Sequence, residues 1–236
     1  MSIVITNLNM RFDELTLFKN FSIEFAEGTI SCILGPSGCG KTTLLNIIGG
    51  LQKPQNGHVL GIDKKSISYI FQEPRLLPWR TVQQNIKLVL ANAYNEPKRQ
   101  QIAQKFIDLV ELNGFENYYP SQLSGGMRQR VSIARAFAYP SDLILMDEPL
   151  KGLDVKLKLT LIKAFARIWQ ADKRSVLFVT HDVDEALMLG NDIVVFSKAP
   201  ISVIATKSIS ESSIMRNLSS PEYFELKNQL LKVLND

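Results

Sequence analysis

The chain has 236 residues, 45% of them apolar and 21% charged. That is the balance of a globular domain large enough to bury a core without disulfide or metal staples, and it excludes collagen-like, low-complexity and disordered classes. Its 27 basic residues against 23 acidic ones leave a net charge of +4, and no Lys/Arg block with interleaved aromatics points to nucleic acid. No run approaches the roughly 18 apolar residues of a membrane span. The opening MSIVITNLNMRF lacks the basic-then-apolar pattern of a secretory leader, so none is expected. Cys32 and Cys39 have no second pair and make neither a disulfide framework nor a zinc pattern; a reducing cytosol fits.

In chain order, Ile3 to Leu8 and Phe21 to Phe25 read as strands, and Glu27-Gly28 as a turn. Ile30 to Leu34 is a short apolar run that leads into a glycine-rich stretch. TTLLNIIGGL from Thr42 reads as a helix ending at Gly49-Gly50. Ile67 to Phe71 is a strand candidate. From Thr81 to Gly114 the period is helical, with Ile102, Phe106, Leu109 and Val110 on one face. Strands then alternate with helices again: Leu143 to Met146, the helix Val155 to Gln170, then Val176 to Val179 and Ile193 to Phe196. On that helix Val155, Leu159, Ile162, Phe165 and Trp169 are expected to face inward and Lys156, Lys163 and Arg167 outward. Pro221 to Leu234 reads as a closing helix. The simplest assembly is an α/β fold with a mostly parallel sheet, interrupted by a helical insert.

Residues 35–42, GPSGCGKT, match G-x-x-x-x-G-K-[ST] between a strand and a helix. Glycines let successive backbone N–H groups turn inward as an anion nest, and the helix N-terminus adds its positive end. Lys41 would then place a cation on the β- and γ-phosphates, and Thr42 a hydroxyl on Mg²⁺. Cys39 lies inside this loop. It is read as a small tolerated side chain, with redox control left open because a helix N-terminus lowers a thiol pKa. In DLILMDEP, Asp142 to Pro149, two carboxylates close an apolar strand. Ligands of open parallel sheets sit outside the carboxyl ends of the strands, so Asp147 is expected on the same edge, holding Mg²⁺. Glu148 is placed to polarise the attacking water.

LSGGMRQ, Leu123 to Gln129, supplies a second anion-binding helix start, with Ser124 as N-cap and Gly125-Gly126 leaving the first amides open. Together with GPSGCGKT, Gln72, LMDEP, Gly152-Leu153-Asp154 and Thr180-His181-Asp182 in this order, it resembles the ATP-binding cassette (ABC) ATPases over about residues 3 to 206. Met127 departs from the usual glutamine of the signature.

The resemblance implies a P-loop NTPase fold: one ABC domain over 1–236, with an antiparallel N-terminal β part and a helical subdomain at roughly 81–137. It implies ATP and Mg²⁺ as cofactors, with nucleotide contacts from Gly35, Pro36, Ser37, Gly38, Cys39, Gly40, Lys41, Thr42 and Thr43, and stacking by Phe12. It adds Ser124, Gly125, Gly126 and Asp154 from across a head-to-tail homodimer. It assigns catalysis to Glu148, His181 and Gln72, and the metal to Thr42, Gln72 and Asp147.

FQEPRLLPW, Phe71 to Trp79, resembles the nitrate/sulfonate/taurine branch of importers, which includes transporters of thiamine precursors. On that resemblance the cassette powers a separate permease at the cytoplasmic face of the membrane, served by an external solute-binding protein. The Leu76 to Trp79 cluster is then a permease socket, or else buries in the domain's own core. With roughly 30 residues after 206, a regulatory C-terminal domain is not expected. A soluble ABC protein without a transporter is the alternative; intact Lys41, Asp147, Glu148 and His181 argue against a cassette that only binds.

Overall fold

The computed structural model describes residues 2–63, 66–213 and 215–235. The chain runs β1 (Ile3–Phe12), β2 (Leu15–Phe25), β3 (Ile30–Leu34), α1 (Lys41–Ile48), β4 (Asn56–Leu60), β5 (Ile67–Ile70), α2 (Val82–Leu88) and α3 (Glu96–Leu109). It continues with α4 (Gly125–Ala138), β6 (Leu143–Asp147), α5 (Val155–Asp172), β7 (Ser175–Thr180), α6 (Val183–Leu189), β8 (Asp192–Phe196), β9 (Val203–Ser208) and α7 (Pro221–Asn235).

The strands form two sheets. The larger has the order β5-β6-β7-β3-β8-β9, parallel throughout except for β9 at its edge. Its central strands are apolar on both faces, as strands covered on both sides must be. Their alternation sorts the core in two. Ile30, Cys32, Leu34, Ile144, Met146, Val176 and Phe178 join the core with α2–α6. Ile33, Leu143, Leu145, Leu177 and Val179 join that of α1 and the smaller sheet. That smaller sheet, β2-β1-β4, is antiparallel. β4 and β9 fall outside the expected elements: NGHVL and VIATKS are edge strands with no fully buried residue.

The helical stretch from Thr81 splits in two. Thr81 closes a capping box with Gln84 at the start of α2, and Asn95 caps α3, whose first turn carries a proline where its missing N–H costs nothing. Phe106 and Val110 are buried, with Ile102 and Leu109 packed beside them, as the period predicts.

One face of α5 needs correction. Val155 is 73% exposed and Leu159 39%. The inward stripe is Leu157, Leu161, Phe165 and Trp169, at four-residue steps, with Ile162 beside it. Val155 opens the helix just after its Asp154 cap, and Leu159 lies on the flank of the stripe, so neither reaches the sheet. Lys156, Lys163 and Arg167 are exposed as expected.

Candidate active site

Neighbouring strand ends assemble the site. β5, β6, β7 and β3 lie side by side and parallel. Their carboxyl ends therefore deliver Gln72, the Asp147-Glu148 pair, His181 and the 35–42 loop to one edge of the sheet.

The loop after β3 is shaped by its glycines. Gly38 and Gly40 have φ of +76° and +112°, the region where a side chain is strained. A Cβ on Gly40 would also lie 2.8 Å from Leu17 and 2.9 Å from Ile201. Gly40 is the N-cap of α1 and offers no side-chain acceptor, and the first turn holds no acidic residue. The positive end of the helix is thus left to an anion. Lys41 is 5% exposed, and its Nζ donates to the carbonyls of Gly35 and Pro36 at 2.8 Å each. The ammonium sits within the loop that it would serve.

Cys39 faces inward. Its side chain is buried in the core beneath the loop, where a Cβ on Gly35 would come within 3.1 Å of its Sγ. Burial pushes the thiol above its ordinary value, and Lys41 offsets only part of this. The thiol is therefore not activated by the helix end.

The acidic pair divides. Asp147 is 3% exposed and accepts from Thr42 Oγ1 at 3.1 Å. Burial raises its carboxyl above the usual range, against the downward pull of the Thr42 bond. Glu148 adopts φ +45°, and its N–H donates to the Val179 carbonyl at 2.9 Å, which stitches the turn after β6 onto β7. Its Oε1 lies 3.2 Å from His181 Nδ1. Its Oε2 lies 2.8 Å from Lys151 Nζ, a charge contact rather than a well-directed hydrogen bond. Burial works to raise this carboxyl, but Lys151 and His181 outweigh it and hold it below its ordinary value. Two adjacent carboxylates thus have opposite shifts, the pattern of groups with different tasks. Lys151 was missed; its place three residues after Glu148 in a tight turn was the available signal.

Gln72 is exposed just beyond β5. The loop around it is held by Arg135 of α4, which donates to the carbonyls of Pro74 (3.1 Å) and Arg75 (3.0 Å). The Arg75 guanidinium lies 3.8 Å over the Phe71 ring, which stacks on Tyr69 at 4.0 Å. Asn85, fully buried, bonds both to the Leu77 backbone and to the carbonyls of Arg80 and Thr81. It shapes the turn that leaves Trp79 68% exposed. Trp79 is therefore not core, whereas Leu76 is partly buried against the core of the helices.

The second helix start stands apart. Ser124 Oγ accepts from Met127 N–H at 3.2 Å, and Gly125 and Gly126 open α4 on the surface. Gln129, buried on α4, donates to the Pro149 carbonyl at 2.9 Å and so ties this helix to the turn after β6. Among the described residues, no hydrogen bond or ion pair joins Ser124, Gly125 or Gly126 to residues 35–43. Asp154 is exposed and caps α5 by accepting from Leu157 N–H at 3.0 Å. Phe12, 42% exposed, ends β1.

Comparison with known proteins agrees with this geometry. Residues 18–151 match the family described as ABC transporter. An uncharacterized ABC transporter ATP-binding protein of Methanocaldococcus jannaschii is 41% identical over 225 residues, 92% of this chain and 84% of that one. The aliphatic sulfonates import ATP-binding protein SsuB of Bacillus thuringiensis subsp. konkukian is 36% identical over 246 residues, 98% of this chain and 95% of that one. A dimeric structure of a post-hydrolysis state of an ATP-binding cassette bound to ADP and Pi superposes with a TM-score of 0.79. It is 32% identical and covers 89% of this chain and 99% of that one. No helix among the described residues is long and apolar enough to cross a membrane. Motif order, strand-edge geometry and relatives converge: the chain belongs to the ABC transporter family, as one of its ATP-binding cassettes.

Proposed function

We propose that this chain is the ATP-hydrolysing subunit of an importer for a small solute of the sulfonate, nitrate, taurine or thiamine-precursor type. The cassette pairs with a second copy and works at the cytoplasmic face of the membrane on a separate permease, served by an extracytoplasmic solute-binding protein. Family membership and the similar cassette with bound ADP and Pi support the ATPase activity; the similarity to SsuB supports import. Residues 81–137 are read as the helical subdomain of this single cassette.

The observation that carries the chemistry is the contact of Glu148 with His181 beside a helix N-terminus without a side-chain cap. The loop amides from Gly35 to Thr43 and Lys41 hold the β- and γ-phosphates, and Phe12 stacks on the base. Glu148, kept ionised by its surroundings, accepts from the attacking water and aims its oxygen at the γ-phosphorus. His181 contacts the γ-phosphate, and Gln72 senses the water. Arranging donors around phosphate in this way is most of what phosphoryl-transfer sites do.

Thr42 and Asp147 offer hard oxygen ligands, joined by Gln72 at the next strand end. Among the described residues, no cluster of three His, Cys, Asp or Glu could hold an ion alone. The hydroxyl of Thr42 and the carboxylate of Asp147, 3.1 Å apart, suit Mg²⁺, which keeps waters and takes its other ligands from substrate phosphates. When bound, it neutralises charge between the phosphates.

Glu148→Gln removes the carboxylate charge while preserving size. It should bind ATP, lose turnover by about 100-fold or more, and elute as a dimer with ATP on sizing chromatography. A monomer that hydrolyses ATP at the parental rate would refute the role. For coupling, exposed Trp79 is the docking anchor. Trp79→Ala should keep ATP binding and weaken co-purification with the permease by about 2 kcal/mol, as loss of an interface anchor does. Undiminished co-purification would place the permease elsewhere.

A further inference from the structure

We propose that Lys158 is a positioning residue for the reaction, holding the turn that carries His181 through a forked ion pair to Asp182 and Glu185. This rests on the reading of His181 as the γ-phosphate contact. The Nζ of Lys158 lies 2.6 Å from Glu185 Oε1 and 3.0 Å from Asp182 Oδ2. The Glu185 side chain is 4% exposed, and its other oxygen accepts from Thr180 Oγ1 at 2.7 Å. That same hydroxyl accepts from Asp182 N–H at 3.0 Å. Asp182 Oδ1 accepts in turn from the N–H groups of Asp184 (2.9 Å) and Glu185 (3.3 Å), capping α6.

Both chain neighbours of His181 are therefore fixed, whereas its ring, 52% exposed, touches Glu148 from outside this network. The nearby Lys227 pairs with Asp184 instead. Lys158 thus supplies the positive charge that lets two carboxylates share one turn, one of them buried. Without it Glu185 keeps a single hydroxyl partner, and a buried carboxylate with so little compensation relaxes toward water or takes up a proton. Either response frees the Thr180–Asp182 turn.

Lys158 also links two parts of the site. Its N–H donates to the Asp154 carbonyl at 2.9 Å, so it sits one turn after the residue proposed to face the partner subunit. The first turn of α5 and the His181 turn are joined by the side chain of Lys158.

The test uses the full chain. It has two histidines, His58 and His181, so ¹⁵N-histidine labelling gives an imidazole spectrum that His58→Gln assigns. Lys158→Met keeps the apolar stem and removes the charge. At one fixed pH it should move the His181 ring signals, leave those of His58 in place, and lower kcat by about tenfold or more, with KM for ATP within about twofold. Lys158→Arg should restore both the signals and kcat. Should Lys158→Met fail to fold, Glu185→Gln, which keeps an oxygen for Thr180 and removes the charge, is read in the same way with the same expected displacement.

Unmoved His181 signals with parental kcat in a folded variant would overturn the proposal. So would a loss of kcat matched by an equal rise in KM that arginine fails to rescue. Should the signals move and recover while the unaltered chain hydrolyses no ATP, Lys158 still holds the His181 turn, but the ATPase reading falls and the positioning role in the reaction falls with it.

Discussion

Two helices of this protein begin with glycine-rich turns, and they are built differently. At α1, the N-cap is Gly40 in a left-handed conformation, no side chain caps the helix, and Lys41 is drawn into the loop. At α4, Ser124 caps its own helix, and the turn lies on the surface. At the first no side chain caps the helix, and Gly40 packs against Leu17 and Ile201. The second is capped by its own serine and lies on the surface. The difference is that between a cradle and a lid: on the proposed function, one would hold an anion within its own chain and the other would complete a site on another.

Removing the cation from the cradle should have the largest effect. Lys41→Ala is expected to weaken ATP binding and to reduce turnover by at least about 100-fold, the scale for losing a donor to transition-state charge. An unchanged rate in the purified variant would contradict the assignment. Gly40→Ala comes next. The added methyl meets Leu17 and Ile201, and the backbone is strained as well, so about 1–3 kcal/mol of stability should be lost. A denaturant midpoint equal to the parent's would show that the loop repacks freely. The smallest change is expected at the lid. Ser124→Ala removes an exposed cap, worth about 1 kcal/mol, and should leave ATP binding by the dilute monomer untouched. A weakened monomer affinity would mean that Ser124 reaches its own chain's nucleotide.

The cradle, the acidic pair and the histidine were legible because each is a short contiguous string at a strand end. A parallel sheet gathers such ends without further information. What was not legible depends on how strands and side chains pair in the fold. β4 pairs with β1, and β9 with β8; neither strand has an apolar run to announce it. Val155 and Leu159 fit a helical stripe by spacing, but the stripe's direction is set by where the sheet lies, which spacing alone does not tell. Lys151, Lys158 and Asn85 looked like ordinary polar residues of a surface turn and two helices. Folding places them on Glu148, on the His181 turn and inside the Leu77 to Thr81 loop. The surroundings of the Cys39 thiol are likewise invisible in the loop motif: burial, a tertiary effect, outweighs the local pull of the helix end.

The central claim is that the cradle of one chain and the lid of another make a single site. The most direct measurement mixes two inactive variants, Lys41→Ala and Ser124→Arg, and follows ATP hydrolysis. In a head-to-tail heterodimer one interface collects both lesions and the other has neither. Activity should therefore appear on mixing, and the specific activity of the parent should rise with its concentration in the dilute range. If the mixture stays silent and the parent's specific activity is independent of concentration, each chain hydrolyses ATP alone and the composite site is wrong.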